Sequence, residues 1–154
     1  DQPEQLTAMS MHETTLVVLH LLFAGLWAGA VAFTAYGVMP TLGTGGADPL
    51  ALRGFLNRLT RVSRASAVVL LLTGGAMAGE GYGGGRLLGS TDGHLVISMV
   101  VLWAVLAALV EVGASRVDDG LDVSGSVGPD AARLFRVAAG VGILLLIVGG
   151  LLST

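Results

Sequence analysis

Residues 14–39 read TTLVVLHLLFAGLWAGAVAFTAYGVM, and no formal charge falls between Glu13 and Pro40. A bilayer core about 30 Å thick is crossed by about 20 apolar residues in helical form. This stretch is therefore long enough for one complete span. The later apolar runs 95–110 and 137–152 lack the polar stripe, recurring every three or four residues, that helices of a soluble bundle would show. A cleaved signal peptide would open on basic residues. Asp1, Glu4 and Glu13 precede the 14–39 run and no Arg does, so it reads as a retained span.

Working outward, three further apolar runs follow at about residues 62–79, 94–114 and 131–152. The 154 residues are 53% hydrophobic and only 12% charged, against about 25% charged in a typical soluble domain. The mean hydropathy is +0.80. The sequence thus predicts an all-α fold: an integral membrane four-helix bundle of antiparallel, up-down topology. Residues 1–13 form an outer tail and 14–154 a single four-span domain. Cysteine is absent, which excludes disulfides, thiolate metal sites and thiol redox chemistry. The net charge is −3 and all eight basic residues are Arg, so no basic surface suits nucleic acid.

Arginine sets the expected orientation, because cytoplasmic loops of membrane proteins carry an excess of basic residues. Arg53, Arg58, Arg61 and Arg64 follow the first span, and Arg116, Arg133 and Arg136 bracket the connection between the third and fourth. The connection between spans two and three has only Arg86. That distribution predicts both termini on the non-cytoplasmic side of a cytoplasmic (inner) membrane. Residues 53–61, with Leu52, Phe55, Leu56 and Leu59, read as a short amphipathic helix lying in the headgroup layer. Gly81, Gly83, Gly84 and Gly85 mark an outer turn, and Asp130 reads as the N-cap of the fourth span. Three small-xxx-small pairs, Gly25/Gly29, Gly75/Gly79 and Ala138/Gly142, predict close packing inside the bundle, with dimerisation as the second use of such faces.

An ionisable group inside a span is costly and calls for a role. His20 lies about 9 Å below the outer end of the first span at 1.5 Å per residue, and Trp27 shares its face. His94 stands at the outer start of the third span and His12 just before the first. All three imidazoles fall in the outer half. Neutral imidazole ligates copper, zinc and haem iron. Met9 and Met11 beside His12 add thioether sulfur, a soft set suited to Cu(I), and Met77 near the outer end of the second span extends it. Met39 and Met99 lie farther away. Glu111 is expected to pair with Arg116 or an Arg of the fourth span. No side chain is assigned a catalytic role.

Several of these residues resemble, in order, the motifs of the copper resistance protein D (CopD) family. His20 followed by Trp27-Ala28-Gly29 resembles its first-span motif, with Ala30 in place of a second Gly. The run from Arg53 through Phe55 to Arg58 is similar to its inner-loop segment. Thr73-Gly74 is similar to the close of its second span, and Thr91-Asp92-Gly93 to the turn before its third. The resemblance implies a minimal four-span unit linked to copper uptake or handling; with it, the residues read as an outer-face copper site with His20 and His94 as ligands and His12, Met9 and Met11 as accessory capture. More distantly, the chain resembles the four-span HemJ-type oxidases, which implies haem b on a first-span His, here His20; the residues themselves offer His94 as the one candidate for a second axial ligand, and a single-His haem needs none. The third-span Lys of both groups has no counterpart, and Ser98 or Met99 stands near its place. The partners implied are the lipid bilayer, a periplasmic or extracellular copper carrier or redox partner, and a second copy of the chain. A third reading is a structural subunit of a larger membrane complex without a site of its own.

Overall fold

The computed structural model describes residues 11–42, 48–81 and 86–152, and every regular element among them is helical. In chain order these are α1 (Met11–Phe33), a π-helical turn (Thr34–Val38), α2 (Met39–Leu42), α3 (Pro49–Gly81), α4 (Arg86–Gly89), α5 (Thr91–Ser124) and α6 (Pro129–Leu152). Four stretches, Met11–Leu42, Pro49–Gly79, Thr91–Ser124 and Pro129–Leu152, are each long and apolar enough to cross a membrane. The chain is a multi-pass, all-helical membrane protein.

Each long helix packs against two others: α1 on α3 and α6, and α5 on α3 and α6. The four therefore close into a ring with α1 diagonally opposite α5. Paired contacts fix the directions. His20 meets Thr73 and Trp27 meets Ser63, so α1 and α3 run oppositely. Arg53 meets Asp122 and Arg64 meets Glu111, so α3 and α5 do too. On the α5–α6 face, Gly113 receives the Phe135 ring and Gly149 lies under Met99. These two contacts have one register and again opposite directions.

Helix ends follow local chemistry that hydropathy does not report. Asp48 accepts the Leu50 N–H on its carboxylate at 3.0 Å, and Pro49 takes the first helical position, where its missing N–H costs nothing. Ser90 caps α5 by accepting from the Gly93 N–H at 3.0 Å, so Thr91-Asp92-Gly93 is the first helical turn rather than a loop. Gly125, at φ 65°, ends α5 in the left-handed conformation that glycine adopts without strain. Asp130 is not the N-cap of the fourth span; α6 starts at Pro129 and Asp130 stands in its first turn. A segment expected outside the spans is continuous with one of them. Residues 49–61 are the opening turns of α3, and Leu52, Leu56 and Leu59 are buried in the bundle core instead of lying in headgroups.

The first span also runs past Pro40, to Leu42. The N–H of Met39 returns to the Thr34 carbonyl, a five-residue step that widens the turn. A proline ring in a regular helix clashes with the carbonyl four residues back, and the wider π turn gives it room.

The core is concentrated at the arginine-rich end. Trp27, Val31, Leu106, Val110, Val117 and Phe135 are almost wholly buried, and Leu52, Leu56, Leu59 and Ala131 join them. Toward the opposite end, Leu19, Leu21, Leu22, Leu72, Ile97 and Ile147 are exposed. Of the small-residue pairs, only Ala138/Gly142 packs as expected: both are buried, and Gly142 lies against Ala28. Gly25, Gly29, Gly75 and Gly79 are exposed with open space where a Cβ would stand. Gly25 and Gly29 are each two positions from the buried Trp27, hence about 200° round the helix, on the face turned out of the bundle.

Candidate functional site

The only described imidazole set into the interior of a span is that of His20, at the level where the tightly packed half of the bundle gives way to the open half. Its Nδ1 lies 2.8 Å from Thr73 Oγ1 on α3. Thr73 is 5% exposed, and its hydroxyl donates to the Val69 carbonyl at 2.7 Å, with a longer contact to the Leu70 carbonyl. A threonine hydroxyl has one proton and two lone pairs. With that proton directed at Val69, Oγ1 accepts from His20, so Nδ1 carries the ring N–H. The neutral imidazole then holds its free lone pair on Nε2, which no group among the described residues engages. This is the arrangement common to metal-ligating histidines: one ring nitrogen donates to an oriented oxygen and the other is presented to the metal.

Gly74 completes the seat. A Cβ there would come within 3.1 Å of His20 Cε1, so the absence of a side chain lets the ring lie against α3. Met77 stands one turn beyond Thr73 toward the open end and, four residues on, shares its face of α3; it is half-buried. One layer deeper, Trp27 Nε1 donates to Ser63 Oγ at 2.8 Å, and Trp103 Nε1 donates to the Ala67 carbonyl at 3.0 Å. Both indoles tie their helices to α3 beneath the imidazole. Ser66, on the same side of α3, is fully buried, and its hydroxyl has no hydrogen-bond partner among the described residues.

The remaining sequence-predicted ligands are spread out. Because α1 begins at Met11, His12 stands eight residues above His20, about 12 Å along the axis. Met11 and His12 are exposed neighbours that project from different sides of the helix. Met9 lies outside the described residues. His94 is exposed in the first turn of α5, diagonally across the ring from α1. Carrying the Trp103–Ala67 register up α3 sets Thr73 level with Ile97, three residues or about 5 Å below His94. Among the described residues, no group of three or more His, Asp, Glu or Cys is placed to hold a metal ion.

Glu111 pairs with neither Arg116 nor an Arg of α6. Both of its oxygens engage Arg64 of α3, Nε at 2.7 Å and Nη2 at 2.8 Å. Three helical turns toward the arginine-rich end, Arg53 binds Asp122. The two pairs are eleven residues apart on both helices, close to a whole number of turns, so they zip α3 to α5 along one seam.

No protein-family model, curated protein or solved structure matches this chain.

Proposed function

We propose that this protein is a CopD-like copper-handling membrane protein that takes up the ion at the open end of its bundle, with His20 as the anchoring ligand. In this reading the open end faces away from the cytoplasm, the arginine-rich end faces the cytosol across the inner membrane, and both termini lie outside. The observation that carries it is the 2.8 Å contact between His20 Nδ1 and Thr73 Oγ1, a hydroxyl that itself donates to the Val69 carbonyl. Thr73 accepts from Nδ1–H and leaves Nε2 as a free donor, with Met77 one helical turn beyond Thr73 on α3. An imidazole with a neighbouring thioether is a borderline-to-soft donor set that favours Cu(I) over the harder divalent ions. Copper is cargo here. His20 Nε2 and Met77 Sδ are the protein donors on the bundle, and a carrier at the membrane surface supplies or accepts the ion. His12, His94 and Met11, with Met9 of the preceding sequence, serve as capture groups on the approach.

The test is copper content and optical spectrum measured on one purified sample. Stoichiometric Cu(I) that is lost in His20→Ala and lowered in Met77→Leu supports the reading. Copper retained in His20→Ala removes it. A Soret band lost in His20→Ala transfers the same lone pair to haem iron. Absence of both, with a fixed co-purifying subunit, makes the chain a structural component of a larger assembly.

A further inference from the structure

Two clefts open at the arginine-rich end. One, of about 230 Å³, lies between α3 and α5, and its lining includes Asn57, Thr60, Arg64, Glu111 and Asp118. Its guanidinium is already held by both oxygens of Glu111. The other, of about 440 Å³, lies between the π turn with α2 and the first turns of α6, and is lined by Ala35, Tyr36, Met39, Pro40, Ala132 and Arg136. Here the guanidinium has no carboxylate: Arg136 is exposed, and the ion pairs among the described residues are Arg53–Asp122 and Arg64–Glu111. The facing chain supplies none either, since no acidic residue occurs between Glu13 and Asp48.

The second cleft is therefore amphiphilic. Four aliphatic residues line it, with one exposed phenol, Tyr36, and one uncompensated cation. Arg136 stands seven residues into α6, about 10 Å from its start, and a charge beside the apolar residues of a membrane-crossing helix calls for a counter-ion. Guanidinium matches phosphate in geometry and charge, and basic pockets between membrane helices near the bilayer surface take anionic headgroups. The π turn contributes by carrying the helix through Pro40, so that Tyr36, Met39 and Pro40 all line the same cleft.

We propose that this cleft is a binding site for an anionic phospholipid. The Arg136 guanidinium pairs with the lipid phosphate, the Tyr36 hydroxyl donates to the headgroup, and an acyl chain lies along Ala35, Met39 and Ala132. The site is independent of the copper reading, being built from different residues at the other end of the bundle.

Native mass spectrometry of the full chain in detergent, titrated with phosphatidylglycerol, phosphatidylcholine or inorganic phosphate, tests it. Phosphatidylglycerol is expected to bind about fivefold more tightly than phosphatidylcholine, the size of one basic-residue contact at a bilayer surface. That preference is expected to vanish in Arg136→Gln and persist in Arg133→Gln, whose side chain is not among those lining the cleft. Ala132→Leu, which fills the cleft and keeps the charge, is expected to weaken both lipids, and it decides the matter where Arg136→Gln does not fold. Equal binding of the two lipids, an unchanged preference in Arg136→Gln, or full competition by inorganic phosphate overturns the proposal.

Discussion

Thr73→Val isolates the contact on which the His20 site depends. The substitution keeps the shape of the side chain and removes one oxygen, the atom 2.8 Å from His20 Nδ1. Two magnitudes then diverge. Hydrogen bonds between membrane helices average about 0.6 kcal/mol and reach about 1.7. Stranding a buried donor costs about 1–3 kcal/mol. Thr73 is buried but His20 is only partly so, which places the loss of stability near 1 kcal/mol. Removing the partner that orients a metal-ligating histidine lowers affinity about 10–100-fold. Copper binding should therefore fall by more than stability does. The assay is a Cu(I) titration against a chromophoric chelator, run beside thermal unfolding in the same detergent. Thr73→Val is expected to remain folded and bind about 10–100-fold more weakly, and Thr73→Ser to restore most of the affinity. Wild-type affinity in Thr73→Val, with binding still lost in His20→Ala, would refute the tautomer argument.

Other expectations follow from the packing. Gly25→Ala and Gly29→Ala meet open space and should each add the helix preference of about 0.5–1 kcal/mol to stability, read as a higher melting temperature. Gly113→Val, whose Cβ would lie 3.2 Å from the buried Phe135 ring, should cost about 1–3 kcal/mol by overpacking. Gly120→Ala should weaken the α5–α6 connection, because its Cβ would stand 2.7 Å from the Ser126 carbonyl oxygen. Ser63→Ala strands the buried Trp27 N–H and should lower stability by about 1–3 kcal/mol, read as a shift in the unfolding midpoint. Copper affinity should fall as the solution is acidified, because a proton and the metal compete for one lone pair; a titration at several pH values with a fixed competitor measures this.

The spans were legible because each is a long apolar run, and burial in lipid leaves that mark on sequence without any tertiary information. What escaped is local or pairwise. Residues 49–61 carry enough charge to look like a surface helix, yet their Leu52, Leu56 and Leu59 face the core. The signal was present in Asp48-Pro49, a cap followed by a first-turn proline. The π turn leaves no compositional trace beyond Pro40, which reads as a stop. Glu111 was recognisable as needing a cation, but choosing Arg64 over Arg116 needs the α3–α5 register, and hydropathy does not carry register. At the site, His20 stood out as the one imidazole within a charge-free run. Thr73 and Gly74 were visible only as a motif, and their contact with the ring follows from the antiparallel packing of α1 on α3. Ser63 and Ser66, small polar residues in an apolar helix, gave no warning that one anchors Trp27 and the other is buried without a partner among the described residues.

The copper reading requires that the arginine-rich end and the His20 end of the bundle look out on opposite sides of a membrane. The chain has no cysteine, so single-cysteine labelling measures this directly. With Arg58→Cys and Leu88→Cys expressed separately, a membrane-impermeant maleimide on intact cells is expected to label the second and to reach the first only after permeabilisation. Labelling of both from the same side would contradict the four-span arrangement and remove the basis for the site.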